Sequence, residues 1–303
     1  MRGKSSGIQT KSDDLLKSSL IDARNQLHRL GARARKGLGQ HFLVDRGVLE
    51  KIISAAELEP SDTVIEVGPG LGVLTEELLK KAANVIAIEA DSKLASSLQK
   101  TFSKAPQLTV LNADVLEIDP GELLKSHAQA IDRRRGYKIV ANLPYYIAAP
   151  ILRHFLETSL KPTLMVVMVQ KEVGQRIVAG PGEMSILGIS VQLYGKPTIV
   201  DYVPAQSFYP RPKVDSAIVR IDVYPRPAVD VADIASFFEI VKAGFSAPRK
   251  QIRNSLALGL QVTSAETEEL LEKADIAPQR RPETLSLEEW AKLHRAFVSK
   301  VKK

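Results

Sequence analysis

The 303 residues are 44% apolar and 25% charged, with a net charge of +7 and no cysteine. This excludes disulfide frameworks, zinc-thiolate sites, iron–sulfur clusters and cysteine nucleophiles, and fits a reducing compartment. The five histidines (His28, His41, His127, His154, His294) show no ligand spacing, no apolar run approaches membrane-spanning length, and the N-terminus lacks an apolar signal core. The reading is therefore a soluble, cytoplasmic protein with no metal site and no membrane segment.

Basic charge gathers at the two ends. Residues 1–37 hold nine Lys/Arg against three acids, residues 38–209 hold 17 against 19, and residues 210–303 hold 16 against 13. Concentrations at Arg33-Ala-Arg35-Lys36, at Arg249-Lys250 with Arg253, and at Arg280-Arg281 are the footprint of a phosphate-backbone partner. An isolated basic run is more often a solvated face, so the ends alone identify nothing.

Residues 1–35 are polar and Ser/Lys-rich and read as a flexible basic tail with one weak helix near 13–30. From Lys36 the pattern changes. Thr63–Val67 is a β-branched run entering a glycine cluster, and helical periodicity follows from Gly72 to Ala83. Val85–Glu89, Leu108–Leu111, Tyr137–Ala141 and Leu164–Val169 read as further strands, with helices at Ser92–Phe102 and Ala149–Leu156. Strands alternating with helices predict a mostly parallel sheet covered on both faces. The alternation ends after strands at Ile199–Val203 and Ser216–Ile221, amid five prolines, and four helices are expected at about 231–245, 248–259, 265–274 and 286–299. The expected organisation is a tail (1–35), an α/β domain of Rossmann-like type (36–227) and a small all-helical domain (228–303).

Between the first strand and its helix lies Glu66-Val-Gly68-Pro-Gly70-Leu-Gly72. Glycines there permit positive φ and close approach of a ligand to the backbone. The spacing G-x-G-x-G is not the dinucleotide fingerprint, since Val73 stands where the third glycine would fall. Glu89 closes the second strand, where an acid can accept both hydroxyls of a ribose, and Asn112-Ala-Asp114 follows the third, where a carboxylate can accept from an adenine amine. Each feature alone reads as a tight turn, a helix cap or a surface acid. Together, at the carboxyl ends of successive strands, they point to S-adenosylmethionine.

Asn142-Leu143-Pro144-Tyr145 follows the fourth strand at the same edge. An exocyclic amine is a poor nucleophile because its lone pair is delocalised into the ring. The Asn142 side-chain carbonyl and the Leu143 backbone carbonyl can accept its two N–H groups and favour a pyramidal nitrogen. Pro144 would stiffen the turn, and Tyr145 offers a ring on which a base stacks, worth about 1–3 kcal/mol. The bland reading is a proline turn with an Asx cap.

With these stretches Gly39-Gln-His-Phe-Leu43, Gln170-Lys-Glu-Val173, Phe208-Tyr-Pro-Arg-Pro-Lys-Val-Asp-Ser-Ala217 and Arg249-Lys-Gln-Ile-Arg-Asn-Ser-Leu256 appear in one order. From about Lys36 to its end the chain resembles the KsgA/RsmA family of small-subunit rRNA adenine N6-dimethyltransferases. The resemblance implies a Rossmann-like methyltransferase domain with a helical C-terminal domain. It also implies dimethylation of two adjacent adenosines in the 3′-terminal hairpin of 16S rRNA, late in subunit assembly, by a protein in which nothing suggests more than a monomer. Carried onto this chain, His41 and Leu43 would close over S-adenosylmethionine, Gly68 and Gly70 would abut its methionine part, Glu89 its ribose and Asp114 its adenine. Asn142 would hold cofactor and target amine, while Tyr145 and Phe208 flank a flipped base. Arg249, Lys250, Arg253, Arg280 and Arg281 would meet the rRNA phosphates.

Two positions depart from the family pattern. His41 stands where Asn is usual, which a backbone contact would survive and a side-chain amide contact would not. Tyr146 stands where Asn is often found, and would either reshape the pocket floor or pack on the sheet. Three alternatives stay open: a large-subunit rRNA adenine methyltransferase of the macrolide-resistance type, a non-catalytic nucleic-acid or assembly factor on the same scaffold, and an NAD-dependent oxidoreductase. The Phe208–Ala217 and Arg249–Leu256 stretches weigh against the first, intact Gly68, Glu89, Asp114 and Asn142 against the second, and Val73 against the third.

Overall fold

The computed structural model describes residues 5–29, 40–127 and 136–301. In chain order the elements are α1 (Ser5–Arg29), β1 (Phe42–Leu43), α2 (Arg46–Ala56), β2 (Thr63–Val67), α3 (Val73–Leu79), β3 (Asn84–Glu89), α4 (Ser92–Thr101) and β4 (Leu108–Asn112). Next come α5 (Pro120–His127), β5 (Lys138–Asn142), α6 (Ala148–Glu157), β6 (Leu164–Gln170), α7 (Lys171–Val178) and α8 (Ile186–Tyr194). The chain continues through β7 (Gly195–Val203), β8 (Phe208–Tyr209), β9 (Ser216–Val223), α9 (Ile234–Gly244), α10 (Ile252–Leu260), α11 (Ser264–Lys273) and α12 (Leu287–Val301).

Two compact units result: residues up to Gly174 with Thr198–Val223, and Gln175–Pro197 with Tyr224–Lys303. In the first, seven strands lie in the order β4-β3-β2-β5-β6-β9-β7. β4 to β6 pair in parallel, and β9 runs antiparallel to β6 from Leu164↔Asp222 to Gln170↔Ser216. Every residue of β2 is buried, as is all of β6 up to Val169. Unbroken burial of this kind belongs to strands covered on both faces. Val64, Val140, Val166 and Met168 of the sheet pack there with Ile52 of α2 and Leu78 of α3.

The chain winds outward from β2 through β3 to β4, then returns to place β5 on the other side of β2. The β2–β5 border is thus a topological switch point, and the crevice outside its carboxyl ends is where open α/β sheets bind ligands. The glycine turn leaves β2 there, and Asn142-Leu-Pro-Tyr145 leaves β5. A separate two-stranded ribbon pairs β1 with β8 in the register Phe42↔Tyr209 and Leu43↔Phe208. It joins two stretches 165 residues apart in sequence.

In the second unit Trp290 of α12 is fully buried and stacks on Phe245 with ring centroids 5.6 Å apart. A side chain at Gly244 would collide with the Trp290 ring.

Several expectations change. Residues 175–197, placed by sequence in the sheet domain, group with the helical unit, so the division is not a single boundary at 227/228. Residues 5–29 of the expected tail form α1, in which Ala23 and Leu27 are buried against Phe42, Leu71 and Leu94. The basic residues Arg33, Arg35 and Lys36, and Gly39 of the first motif, lie outside the described residues. Helix α2 was not anticipated; Asp45 caps it by accepting the N–H groups of Gly47 and Val48.

Candidate active site

The carboxyl ends of four strands, β2, β3, β4 and β5, and the β1 segment line one cleft. Gly68, Gly70, Glu89, Asp114, Asn142 and Tyr145 line it, together with His41, Leu43, Leu143, Pro144 and Tyr146. Every expected cofactor residue is therefore in one place.

Gly70 adopts φ +58°, and a Cβ there would lie 2.8 Å from the Phe42 ring. Only glycine fits, on both backbone and steric grounds. At Gly68 the left-handed backbone is the whole requirement: φ is +66° and the nearest atom a Cβ would meet is the Pro144 ring at 3.6 Å. The turn is tied to Glu89, whose carboxylate accepts the Gly70 N–H at 3.1 Å and the Asp91 N–H at 2.9 Å. Burial raises the Glu89 pKa above its ordinary value, against these backbone donors. Each carboxylate oxygen has two acceptor sites, so capacity remains for ligand hydroxyls.

Asp114 is a turn cap that also faces the cleft. One oxygen accepts the Leu116 N–H at 2.9 Å and caps the short turn Val115–Glu117, while the exposed residue lines the cleft.

Asn142 is half-buried, and its Nδ2 donates to the His41 backbone carbonyl at 3.0 Å. Its Oδ1 is buried and, among the described residues, has no hydrogen-bond partner. A buried acceptor left unpaired costs about 1–3 kcal/mol, and an uncompensated one in a cleft marks the place of a ligand donor. Leu143 is anchored by its N–H to the Met168 carbonyl at 3.1 Å with its side chain buried. Pro144 (φ −59°) opens the turn Tyr145–Ile147.

The Tyr145 hydroxyl meets the Ser216 hydroxyl at 2.5 Å, and its ring stacks on His41 at 5.5 Å between centroids. Burial pushes its phenol up to about 12, so it stays neutral. Ser216 belongs to the Phe208–Ala217 stretch, whose sequence gives no sign of this partnership. His41 Nδ1 lies 2.7 Å from the Pro210 carbonyl and must donate to it, since a carbonyl only accepts. His41 thus contributes its carbonyl to Asn142, the contact that tolerates the departure from Asn. Tyr146 is 54% exposed and lines the cleft, so it does not pack on the sheet.

Phe208 requires a correction. Expected to flank a base, it is 1% exposed in the core cluster with Leu43, Val203 and Ile218. Its register opposite Leu43 turns the ring inward, leaving no face for a base. Leu43, 6% exposed, lines the cleft.

The first residue of the glycine motif, Glu66, is a further acid of the site. Buried one residue before the end of β2, it accepts the Thr75 hydroxyl at 2.6 Å, and burial raises its pKa to about 8. It also lines the cleft.

In the second unit, Arg249 and Lys250 are exposed. Arg281 is 60% exposed, with Glu283 at 3.8 Å. Arg253 pairs with Glu268 at 2.5 Å. Arg280 forks onto Glu289 and also donates to Thr284, with 2.6 Å to its carbonyl. The last two are held by neighbours within the unit.

A glycine turn and strand-end acids at a switch point, with an Asn-Leu-Pro-Tyr turn beside them, define an α/β fold of the nucleotide-cofactor methyltransferase type. The family description "Ribosomal RNA adenine dimethylase" matches residues 31–294, and the chain belongs to that family. "Ribosomal RNA small subunit methyltransferase A" of Dehalococcoides mccartyi is 49% identical over 276 residues, 91% of this chain and 92% of the relative. The protein of the same name from Moorella thermoacetica is 43% identical over 88% of this chain and 93% of its own. Among solved structures, a dimethyladenosine transferase from Plasmodium falciparum superposes with TM-score 0.70 at 27% identity, covering 86% of this chain and 98% of that one. The 23S rRNA methyltransferase ErmE gives 0.64 at 28%, covering 84% and 98%.

Proposed function

We propose that this protein uses S-adenosylmethionine to dimethylate N6 of two adjacent adenosines in the 3′-terminal hairpin of small-subunit rRNA, acting as a monomer on a late assembly particle in the cytoplasm. The observation that carries the reading is the Oδ1 of Asn142 at the carboxyl end of β5, buried and without a hydrogen-bond partner among the described residues. It is the acceptor that an exocyclic amine would satisfy.

The residues present fit the cofactor. Glu89 keeps acceptor capacity for ribose hydroxyls, Asp114 is open to an adenine amine, and Gly68 and Gly70 line the cleft without side chains. When bound, S-adenosylmethionine supplies an electrophilic methyl group on a sulfonium sulfur.

The chain's own residues act on the nucleophile. For the first methyl, Asn142 Oδ1 and the Leu143 carbonyl accept the two amine hydrogens and draw the nitrogen lone pair out of conjugation, from positions held beforehand by Pro144 and by the His41 carbonyl. The methylated, cationic nitrogen then loses one proton to solvent, and the single N–H that remains uses one of these acceptors for the second methyl. Tyr145, held through Ser216, supplies the stacking face. Arg249, Lys250 and Arg281 are the cations for RNA phosphates. The identities to small-subunit enzymes support that subunit over the large one as substrate.

The test is nucleoside analysis after incubation with labelled S-adenosylmethionine and either unmethylated small subunits or large-subunit rRNA. Dimethyladenosine from small subunits alone is expected. Label in large-subunit RNA would overturn the substrate assignment, and cofactor binding without transfer to either would overturn the activity in favour of an assembly factor.

A further inference from the structure

We infer that the N-terminal helix α1 positions the cofactor side of the cleft, acting through Leu71 and Phe42. The helix lies wholly before residue 31, where the family match begins. Leu16, Leu20, Ala23 and Leu27 recur at helical spacing and form one stripe, with Ala23 and Leu27 each 5% exposed.

That stripe packs on Phe42, Leu71 and Leu94. These three come from different segments of the cleft's surroundings. Phe42 belongs to β1 beside His41, and its ring fills the space a side chain at Gly70 would need. Leu71 is the residue between Gly70 and Gly72. Leu94 opens α4, three residues after Asp91, whose N–H holds Glu89. Gln26 adds a polar contact, Nε2 to the Leu71 carbonyl at 3.4 Å. Phe42 and Leu71 themselves line the cleft.

The glycine turn needs such support. Three left-handed glycines in five residues give it wide backbone freedom, and freezing that freedom on ligand binding costs affinity. A helix clamped across the turn, β1 and α4 restrains it before the ligand arrives. Leu27, Ala23 and Gln26 are positioning residues, since none of them lines the cleft.

The inference rests on the cofactor assignment above, so wild-type binding is measured first. The full chain and its Leu27→Ser, Leu27→Met, Gln26→Ala and Ile21→Ser variants are titrated with S-adenosylmethionine by calorimetry. Apo unfolding midpoints and hydrogen exchange of residues 68–74 are recorded in parallel. Ile21, 59% exposed on the same helix, is the control. Leu27→Ser should weaken binding about tenfold and speed exchange in the turn while exchange in β2 and β5 stays unchanged, the scale of a typical coupling between sites. Leu27→Met should restore binding, Gln26→Ala should give a smaller loss, and Ile21→Ser none. Wild-type-like affinity and turn exchange in Leu27→Ser, or losses matched throughout the sheet, would overturn the positioning role. Failure of the wild type to bind would instead overturn the cofactor assignment.

Discussion

The Nδ2 of Asn142 donates to the backbone carbonyl of His41 at 3.0 Å, while its Oδ1 is buried and unpartnered among the described residues. One amide thus fixes its own orientation with its donor and presents its acceptor. Because the His41 contribution is a backbone atom, the contact does not depend on residue type. His41→Ala should therefore keep the cofactor dissociation constant within about threefold, below the scale of losing a charged or buried hydrogen bond. Calorimetric titration measures it; a hundredfold loss would show that the imidazole itself holds the ligand.

Tyr145 separates anchoring from stacking. Tyr145→Phe removes only the bond to Ser216, a net loss of about 0.5–1.5 kcal/mol, and should leave kcat/KM within about tenfold. Tyr145→Ala removes the ring and should lower kcat/KM further, by the ~1–3 kcal/mol of a base stack. Equal effects of the two variants would mean that the hydroxyl matters and the ring does not.

Glu66 makes stability depend on pH. Its folded pKa, about 8, lies above its ordinary value of 4.5 because burial disfavours the carboxylate. Between these values the native state holds a proton that the unfolded state has released, so the group's contribution is full below pH 4.5 and lost as pH rises toward 8. The loss is on the order of 1.4 kcal/mol per pH unit while that window lasts. Glu66→Gln should flatten this slope in denaturant melts taken from pH 5 to 8; an identical slope in the variant would assign it to other groups.

The basic residues of the second unit divide by partner. Arg249→Glu should weaken rRNA binding and reduce the slope of log affinity against log salt, as loss of a phosphate contact requires. Arg280→Ala should instead lower the unfolding midpoint, because it breaks the pairing with Glu289 and Thr284 and leaves acceptors behind. A salt slope unchanged by Arg249→Glu would place the RNA elsewhere.

The five parallel-type strands were legible because β-branched runs met glycine, proline or acidic ends. The cleft was legible because its residues sit at those ends. What escaped had other causes. Between α7 and α8 the helical pattern is broken by Gly180-Pro181-Gly182, and nothing local tells that residues 175–197 group with helices some thirty residues further on. An aromatic in a proline-rich stretch looks available for a base, yet the pairing of Phe208 with Leu43 across 165 residues turns it into the core. The pairing of Arg280 with Glu289 is likewise a fact of tertiary structure, indistinguishable in sequence from an exposed cation.

The most direct measurement compares wild type and Asn142→Ala in two assays: S-adenosylmethionine binding by calorimetry and single-turnover methylation of unmethylated small subunits. The amine-acceptor role predicts affinity retained within a few-fold and a methyl-transfer rate lowered at least ~100-fold, the scale of losing one preorganised electrostatic contact. Methyl transfer at the wild-type rate in Asn142→Ala would contradict it.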